Sequence, residues 1–270
     1  MIVQVSTPQM ELWRIEGPFS NNLHRHDEDF QITVMMDGGC VFTQEDRDYK
    51  LAGGDGLVQP PGERHVFGIG EQAGVLIFKV KEKGLKQFVG RDSVELGLRQ
   101  QFDRTLLAGR MRQWTNGLLA YDTGSRLAQE EIELQVLDYL TGALSGSHKG
   151  SGGVKVGGGE PAGSDPYMGQ AMDYIHSHYK DPIAIVDLAA IAMRSRFHFI
   201  RTFKSLVGTT PYQYVLQLRI DEAKRLLQRT DRSVTDIGLS LGFSGSSAFY
   251  RAFVKSVGVT PEHFRQDSRY

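Results

Sequence analysis

The spacing of apolar and polar positions changes twice along this chain. Over residues 1–82 it follows the two-residue repeat of β-strands. In FQITVMM, residues 30–36, Ile32, Val34 and Met36 share one side while Gln31, Thr33 and Met35 share the other. The turn-forming stretches DGG and GGDG lie between such runs, and short strands joined by glycine turns predict a small barrel or sandwich. Over residues 84–144 the spacing widens to that of a helix. RLAQEEIELQVLDYLTGAL, residues 126–144, carries Leu127, Leu134, Leu137 and Leu144 near one stripe and Ile132, Val136 and Tyr139 near another. That pattern specifies a buried face without saying whose surface covers it, so the helix packs on its own barrel or pairs with a second copy.

From Thr141 to Pro166 the periodicity is lost. Nine of these 26 residues are glycine and large apolar groups are scarce after Leu144, the composition of a flexible linker, placed at 145–166. A phosphate-binding loop would need GxxxxGK[ST]; here Lys155 precedes the glycine triplet, and the linker reading is preferred.

Beyond the linker the chain repeats itself. DLAAIAMRSRFHFIRTFKSLVGTTPYQYV, from Asp187, aligns with DIGLSLGFSGSSAFYRAFVKSVGVTPEHFR, from Asp236, at an offset of 49 before the turn and 50 after it. The alignment pairs Arg201 with Arg251, Phe203 with Phe253, Gly208 with Gly258 and Pro211 with Pro261. Each copy reads as a short apolar helix, a tight turn and a second helix with two unlike faces, placed at about 187–208 and 236–258. In the first copy Phe199, Phe203 and Leu206 form the inner side, and Arg196, Phe197, Ile200, Arg201 and Lys204 the outer one. In the second, Phe249, Phe253 and Val257 face inward, and Ser246, Ser247, Tyr250 and Arg251 outward. Inner aromatics that hold the second helix steeply against the first leave its other face free to enter a DNA major groove. Between the copies, Thr210 and Gln213 form a capping-box pattern around Pro211, opening a helix of about 18 residues. Such a helix spans roughly 27 Å, close to the roughly 34 Å between successive major grooves on one side of B-DNA. A bundle of protein-interaction helices is the plainer alternative, and it would not bind DNA in a salt-dependent way.

Charge supports this division. The net charge is −1, yet residues 167–270 hold 14 Lys and Arg against 9 Asp and Glu, while the remainder holds 17 against 23. One half can face phosphates and the other cannot. The chain has no apolar run near the roughly 18 residues of a membrane span, no leader pattern at its start and a single cysteine, Cys40. A bacterial cytoplasmic protein associated with the nucleoid, with no membrane partner, is expected, and Cys40 among strand residues reads as inert filler.

With these motifs in view, residues 167–267 resemble the AraC/XylS family of bacterial transcription regulators. The resemblance implies an all-α DNA-binding domain of two helix-turn-helix subdomains joined by a long helix. It carries DNA contacts over to Arg196, Phe197, Ile200, Arg201 and Lys204 in the first subdomain and to Ser246, Ser247, Tyr250 and Arg251 in the second. Arg201 and Arg251 suit guanine edges or phosphate, Phe197 a thymine methyl, and the serines bases or backbone. Position 254, often basic in that family, is Val254.

Residues 18–80 resemble the cupin superfamily. GDGLVQPPGERH, residues 54–65, matches its second signature through Gly54, Pro60, Gly62 and His65, and HRHDEDFQ, residues 24–31, matches the HxH opening of the first. In cupin enzymes the two histidines, a following Glu and the later His hold a transition metal. Here Phe30 or Gln31 stands where that Glu would be, and Gly68 and Ile69 stand where an Asn often closes the second motif. Here His24 and His26 project to the same side of a strand, because side chains there repeat every two residues, and His65 can join them. Three neutral imidazoles suffice for zinc, nickel or ferrous iron, but the charged ligand is missing. His24, His26, Gln31 and His65 are therefore candidates for an effector pocket, with His24, His26 and His65 also candidate metal ligands or structural histidines. Asp27, Glu28 and Asp29 read as a solvated rim.

Together these readings give a mixed α+β chain of several parts: a cupin-like β-barrel at 1–82, a helical dimerisation or packing segment at 83–144, the linker, and the DNA-binding domain at 167–270. The expected function is regulation of promoters by a homodimer that binds double-stranded DNA and a small effector, with RNA polymerase as a partner if it activates, no catalysis and no required cofactor. A cupin metalloenzyme with an appended DNA-binding module, and a constitutive DNA-binding dimer without effector, are the alternatives.

Overall fold

The computed structural model of the protein describes residues 1–90, 92, 94, 96–120, 124–144 and 165–268. The chain forms two compact units, Met1–Thr115 with Glu133–Gly150, and Asn116–Ile132 with Ser151–Tyr270.

The first unit contains β1 (Ile2–Ser6), β2 (Met10–Glu16), β3 (Phe19–Ser20), β4 (Asp29–Asp37), β5 (Gly39–Gln44), β6 (Arg47–Ala52), β7 (Asp55–Gln59), β8 (His65–Ile69) and β9 (Gly74–Lys81). After these come α1 (Glu82–Val89), β10 (Arg99–Gln101) and α2 (Arg104–Ala120), then α3 (Arg126–Leu144); the last two each run across the boundary between the units. The strands make two antiparallel sheets, ordered β1-β2-β9-β4-β7-β10 and β3-β8-β5-β6.

Strand β4 alternates as its sequence predicts, yet both of its sides are buried. Ile32 and Val34 lie on the face that also bears Phe78, and Phe78 meets Trp114 of α2 edge-to-face at 6.3 Å. Gln31, Thr33 and Met35 face the second sheet. There Met35, Ile15, Val75 and Ile77 pack with Phe42, Leu51, Phe67 and Ile69 in one apolar cluster. The space between the sheets is thus apolar at one end and increasingly polar toward Gln31. Cys40 packs beside that cluster, and burial pushes its thiol up to about 11, as inert filler requires.

The second unit contains α4 (Pro166–His178), α5 (Ile185–Ile191), α6 (Arg196–Val207), α7 (Pro211–Arg229), α8 (Val234–Ser240), α9 (Ser246–Val257) and α10 (Pro261–Asp267). The two repeated motifs are the pairs α5–α6 and α8–α9, and α7 lies between them as predicted. Phe199, Phe203, Phe249 and Phe253 are fully buried. Most of the expected linker, 145–164, lies outside the described residues. Its last two residues are helix-forming instead: the Asp165 side chain accepts the amides of Tyr167 and Met168, and Pro166 takes the first helical position of α4.

The two helix-turn-helix turns place different residues at their left-handed position. Both need a left-handed backbone; the second has Gly242 at φ +80, where an added Cβ would lie 2.1 Å from the Lys180 carbonyl oxygen. The first has Met193 at φ +52, with its side chain 75% exposed.

Candidate ligand site and nucleic-acid interface

The cupin-like motifs converge at the polar end of the first unit. His24 is joined to His65 by a single antiparallel bridge and is not part of a continuous strand, which corrects the expectation of a strand bearing His24 and His26. Backbone hydrogen bonds still bring the three rings together. The Gly62 amide, in a turn at φ +86, donates to the His26 carbonyl at 2.7 Å. The ring centroids of His24 and His65 are 4.4 Å apart, those of His24 and His26 4.9 Å, and those of His26 and His65 5.4 Å.

Gln31 joins this group. His26 Nε2 lies 3.1 Å from Gln31 Oε1, and Gln31 Nε2 donates to Thr33 Oγ1 at 3.1 Å. Thr33 Oγ1 donates to Gln59 Oε1 at 3.1 Å, and Gln44 Nε2 donates to the Val58 carbonyl at 3.3 Å and to Glu63 Oε2. Gln31, Thr33, Gln44, Gln59 and His65 are all buried. Register extends the row sideways, because Gln31 pairs with Lys79 and Lys79 with Glu11. Lys79 Nζ is 3.8 Å from Glu11 Oε2 and 5.5 Å from the centre of the Trp13 ring. Motif reading missed Thr33, Gln44, Gln59, Lys79 and Glu11. Parity with Gln31 along β4 could have indicated Thr33, but the others required the strand register.

The hydrogen bonds determine where the imidazole protons sit. A carbonyl only accepts, so His24 Nδ1, 2.8 Å from the Asn22 carbonyl, and His65 Nδ1, 3.3 Å from that of Glu63, carry hydrogens. In the neutral rings both Nε2 atoms therefore present lone pairs. His65 Nε2 is buried and has no hydrogen-bond partner among the described residues. Burial, with smaller contributions from His24, His26 and Lys79, pushes His65 down to about 4; burial followed by the Lys79 charge lowers His26. Both shifts favour the neutral ring that a metal ligand must offer.

This donor set fits a divalent metal. One nitrogen from each of His24, His26 and His65 lies within 4.8 Å of the others, with two Nδ1–H groups fixed by backbone carbonyls as in metal-binding histidines. Gln31 Oε1 is the adjoining neutral oxygen. The same lone pairs would equally accept hydroxyl or amine groups of an organic ligand.

In the second unit, the outer faces of α6 and α9 carry the residues expected to meet DNA, with one exception. Arg201, Lys204, Ser246, Ser247, Tyr250 and Arg251 are exposed, and Arg196 and Phe197 half-buried. The Arg201 guanidinium lies 5.2 Å from the centre of the Phe197 ring. Ile200 is the exception: it is 8% exposed and buried with Phe199 and Phe203 on the inner side of α6, so it does not belong to the outward set. Two features hold this scaffold. Ser195 caps α6 by accepting the His198 amide. Arg219 of α7 reaches the carbonyls of Tyr179, Asp181 and Gly242 at 2.6, 3.1 and 2.7 Å, tying α7 to the segment between α4 and α5 and to the turn of the second motif.

Comparison with known proteins agrees with both halves. A model of an AraC-like ligand binding domain matches residues 13–89, and one of a helix-turn-helix domain matches 188–267. The MmsAB operon regulatory protein of Pseudomonas aeruginosa is 28% identical over 264 residues, 91% of this chain and 77% of that protein. The HTH-type transcriptional regulator YdeC of Bacillus subtilis is 26% identical over 259 residues, 90% and 86% of the two chains. Among solved structures, the DNA-binding domain of AdpA in complex with a target DNA is 31% identical, covering 39% of this chain and 95% of that one at a TM-score of 0.36. Among the described residues no helix is long and apolar enough to cross a membrane. The chain is a transcriptional regulator with an AraC-like ligand-binding domain and a DNA-binding helix-turn-helix domain.

Proposed function

We propose that this regulator binds a small effector between the polar ends of its two sheets and, as a cytoplasmic homodimer, uses α6 and α9 to read promoter DNA. The observation that carries the reading is the recurrence of one outward arginine, Arg201 and Arg251, at equivalent positions of two helix-turn-helix motifs joined by a 19-residue helix of about 28 Å. His24, His26, Gln31 and His65 supply the few convergent polar groups of the effector site. An effector changes promoter occupancy only by binding two states of the protein unequally. Genome-wide mapping of occupied sites, followed by operator titrations with the metabolites that the neighbouring genes suggest, tests this. Operator affinity that no such metabolite shifts would leave a constitutive DNA-binding dimer.

The unpartnered Nε2 of His65 favours a second reading, in which a divalent metal on His24, His26 and His65 forms part of the effector site. It would supply a Lewis-acidic centre for an oxygen-bearing ligand. Metal analysis of untagged protein tests it, and less than about one zinc, nickel or iron per chain after supply of each metal counts against it.

A further inference from the structure

The first turn of α7 is not completed by its own sequence. Thr210 Oγ1 accepts the Gln213 amide at 3.3 Å, and Gln213 Oε1 accepts the Thr210 amide at 3.3 Å. Pro211 has no amide hydrogen, and the Tyr214 amide bonds back to the Thr210 carbonyl at 2.9 Å. That leaves the Tyr212 amide, on a residue only 5% exposed, beyond the reach of the capping box. It donates to Glu131 Oε2 of α3 at 3.0 Å.

Glu131 is itself 5% exposed, a position that a carboxyl group occupies only when something there receives it. Burial pushes it up to about 7, against the opposing pull of the Thr210 hydroxyl, the Tyr212 amide and the Lys204 charge. Its neighbour Glu130 makes a parallel contact, accepting the Ile185 amide of α5 at 2.6 Å, where Ala184 offers no capping side chain. Both contacts lie within the second unit, which counts residues 116–132 as its own.

We propose that the opening turns of α3 are a working part of the DNA-binding unit, with Glu131 and Glu130 as positioning residues that seat α7 and α5. The helix between the two reading heads then has its first turn fixed from outside the 167–270 segment. The same α3 continues as residues 133–144 of the first unit, where Glu133 Oε1 accepts the Gln9 amide at 3.2 Å. The seating of α7 does not rest on the proposed effector response.

Hydrogen exchange of the full chain tests the proposal, read on peptides covering the starts of α5 and α7 and, as controls, β9 and α9. Glu131→Leu keeps the approximate size of the side chain but removes the acceptor, and it should speed exchange at the start of α7 about tenfold or more while the controls stay unchanged. Glu131→Gln keeps an acceptor oxygen and should exchange no faster than the wild type. Glu130→Leu and Glu130→Gln should behave in the same way at α5. Affinity for a duplex selected in vitro with the wild-type chain should fall at least about threefold in Glu131→Leu and recover in Glu131→Gln. Unchanged exchange at α7 in Glu131→Leu, or an equal loss in Glu131→Gln, would overturn the proposal. Normal exchange changes with an effector-insensitive operator would leave the seating intact and remove only the effector response.

Discussion

Glu131→Gln should make the second unit more stable at alkaline pH and much less sensitive to pH. In the folded chain the Glu131 carboxyl sits at about 7, against an ordinary 4.5, chiefly because it is buried. A raised folded pKa means that the folded state holds its proton longer than the unfolded one, so stability declines as pH rises from 4.5 to about 7 and is level above that. At about 1.4 kcal/mol per pH unit, ionisation costs the fold roughly 1 kcal/mol at pH 5 and about 3 kcal/mol at pH 8. The Gln variant has nothing to ionise there and keeps an oxygen for the Tyr212 amide, so it should gain about 2 kcal/mol over the wild type on going from pH 5 to pH 8. Hydrogen exchange of the slowest amides of α7, corrected for the intrinsic effect of pH, reads the opening free energy of this unit whatever the first unit does. Parallel curves for wild type and variant between pH 5 and 8 would show that Glu131 is not desolvated as its position requires, and would refute the reasoning.

Three further outcomes are expected. Arg201→Ala should weaken operator binding by about 1–3 kcal/mol if Arg201 reads a base edge, and mutant and wild type binding equally in a fluorescence titration would remove it from readout. Gln31→Glu restores a charged oxygen beside His26 and should raise zinc affinity, by about tenfold for each 1.4 kcal/mol the charge contributes; calorimetry showing no zinc binding in the variant would mean that His24, His26 and His65 do not act as one site. The helix-turn-helix turns should respond oppositely to substitution. Met193→Gly relieves a left-handed backbone at an exposed position and should stabilise the unit by about 1 kcal/mol, whereas Gly242→Ala, with its Cβ 2.1 Å from the Lys180 oxygen, should destabilise it by more than about 2 kcal/mol in urea melts.

What was legible in the amino-acid sequence depended on how local its cause is. The paired helix-turn-helix motifs could be read because each inner face is set within one short helix by aromatics four residues apart, Phe199 with Phe203 and Phe249 with Phe253. Ile200 was misplaced because it stands four residues after Arg196 and next to Arg201, at the edge of the outer stripe, and only the packing against α6 decides which side covers it. The convergence of His24, His26, Gln31 and His65 was legible because Gly62 and the His24–His65 bridge are encoded in the motifs themselves, although the histidines meet through loop and bridge geometry and not through a strand. Lys79, Gln59 and Glu11 were not, since they reach Gln31 only through strand register, which is a property of pairs of segments.

The glutamates of α3 sharpen this contrast. EEIE, residues 130–133, reads as a solvated patch interrupting an amphipathic helix, and by composition it should face water. Three backbone amides draw these carboxyls inward, those of Ile185, Tyr212 and Gln9, and none of the three is within 50 residues of its acceptor along the chain. A helix whose apolar stripes and acidic patch are both buried cannot be assigned from its own periodicity to a dimer surface or to its own barrel, the two choices that its pattern offered. Its opening turns belong to the second compact unit, so the boundary between the units falls inside α3. A DNA-binding fragment cut at the glycine-rich stretch would lack Glu130 and Glu131, and its α7 should exchange faster than the same helix in the full chain.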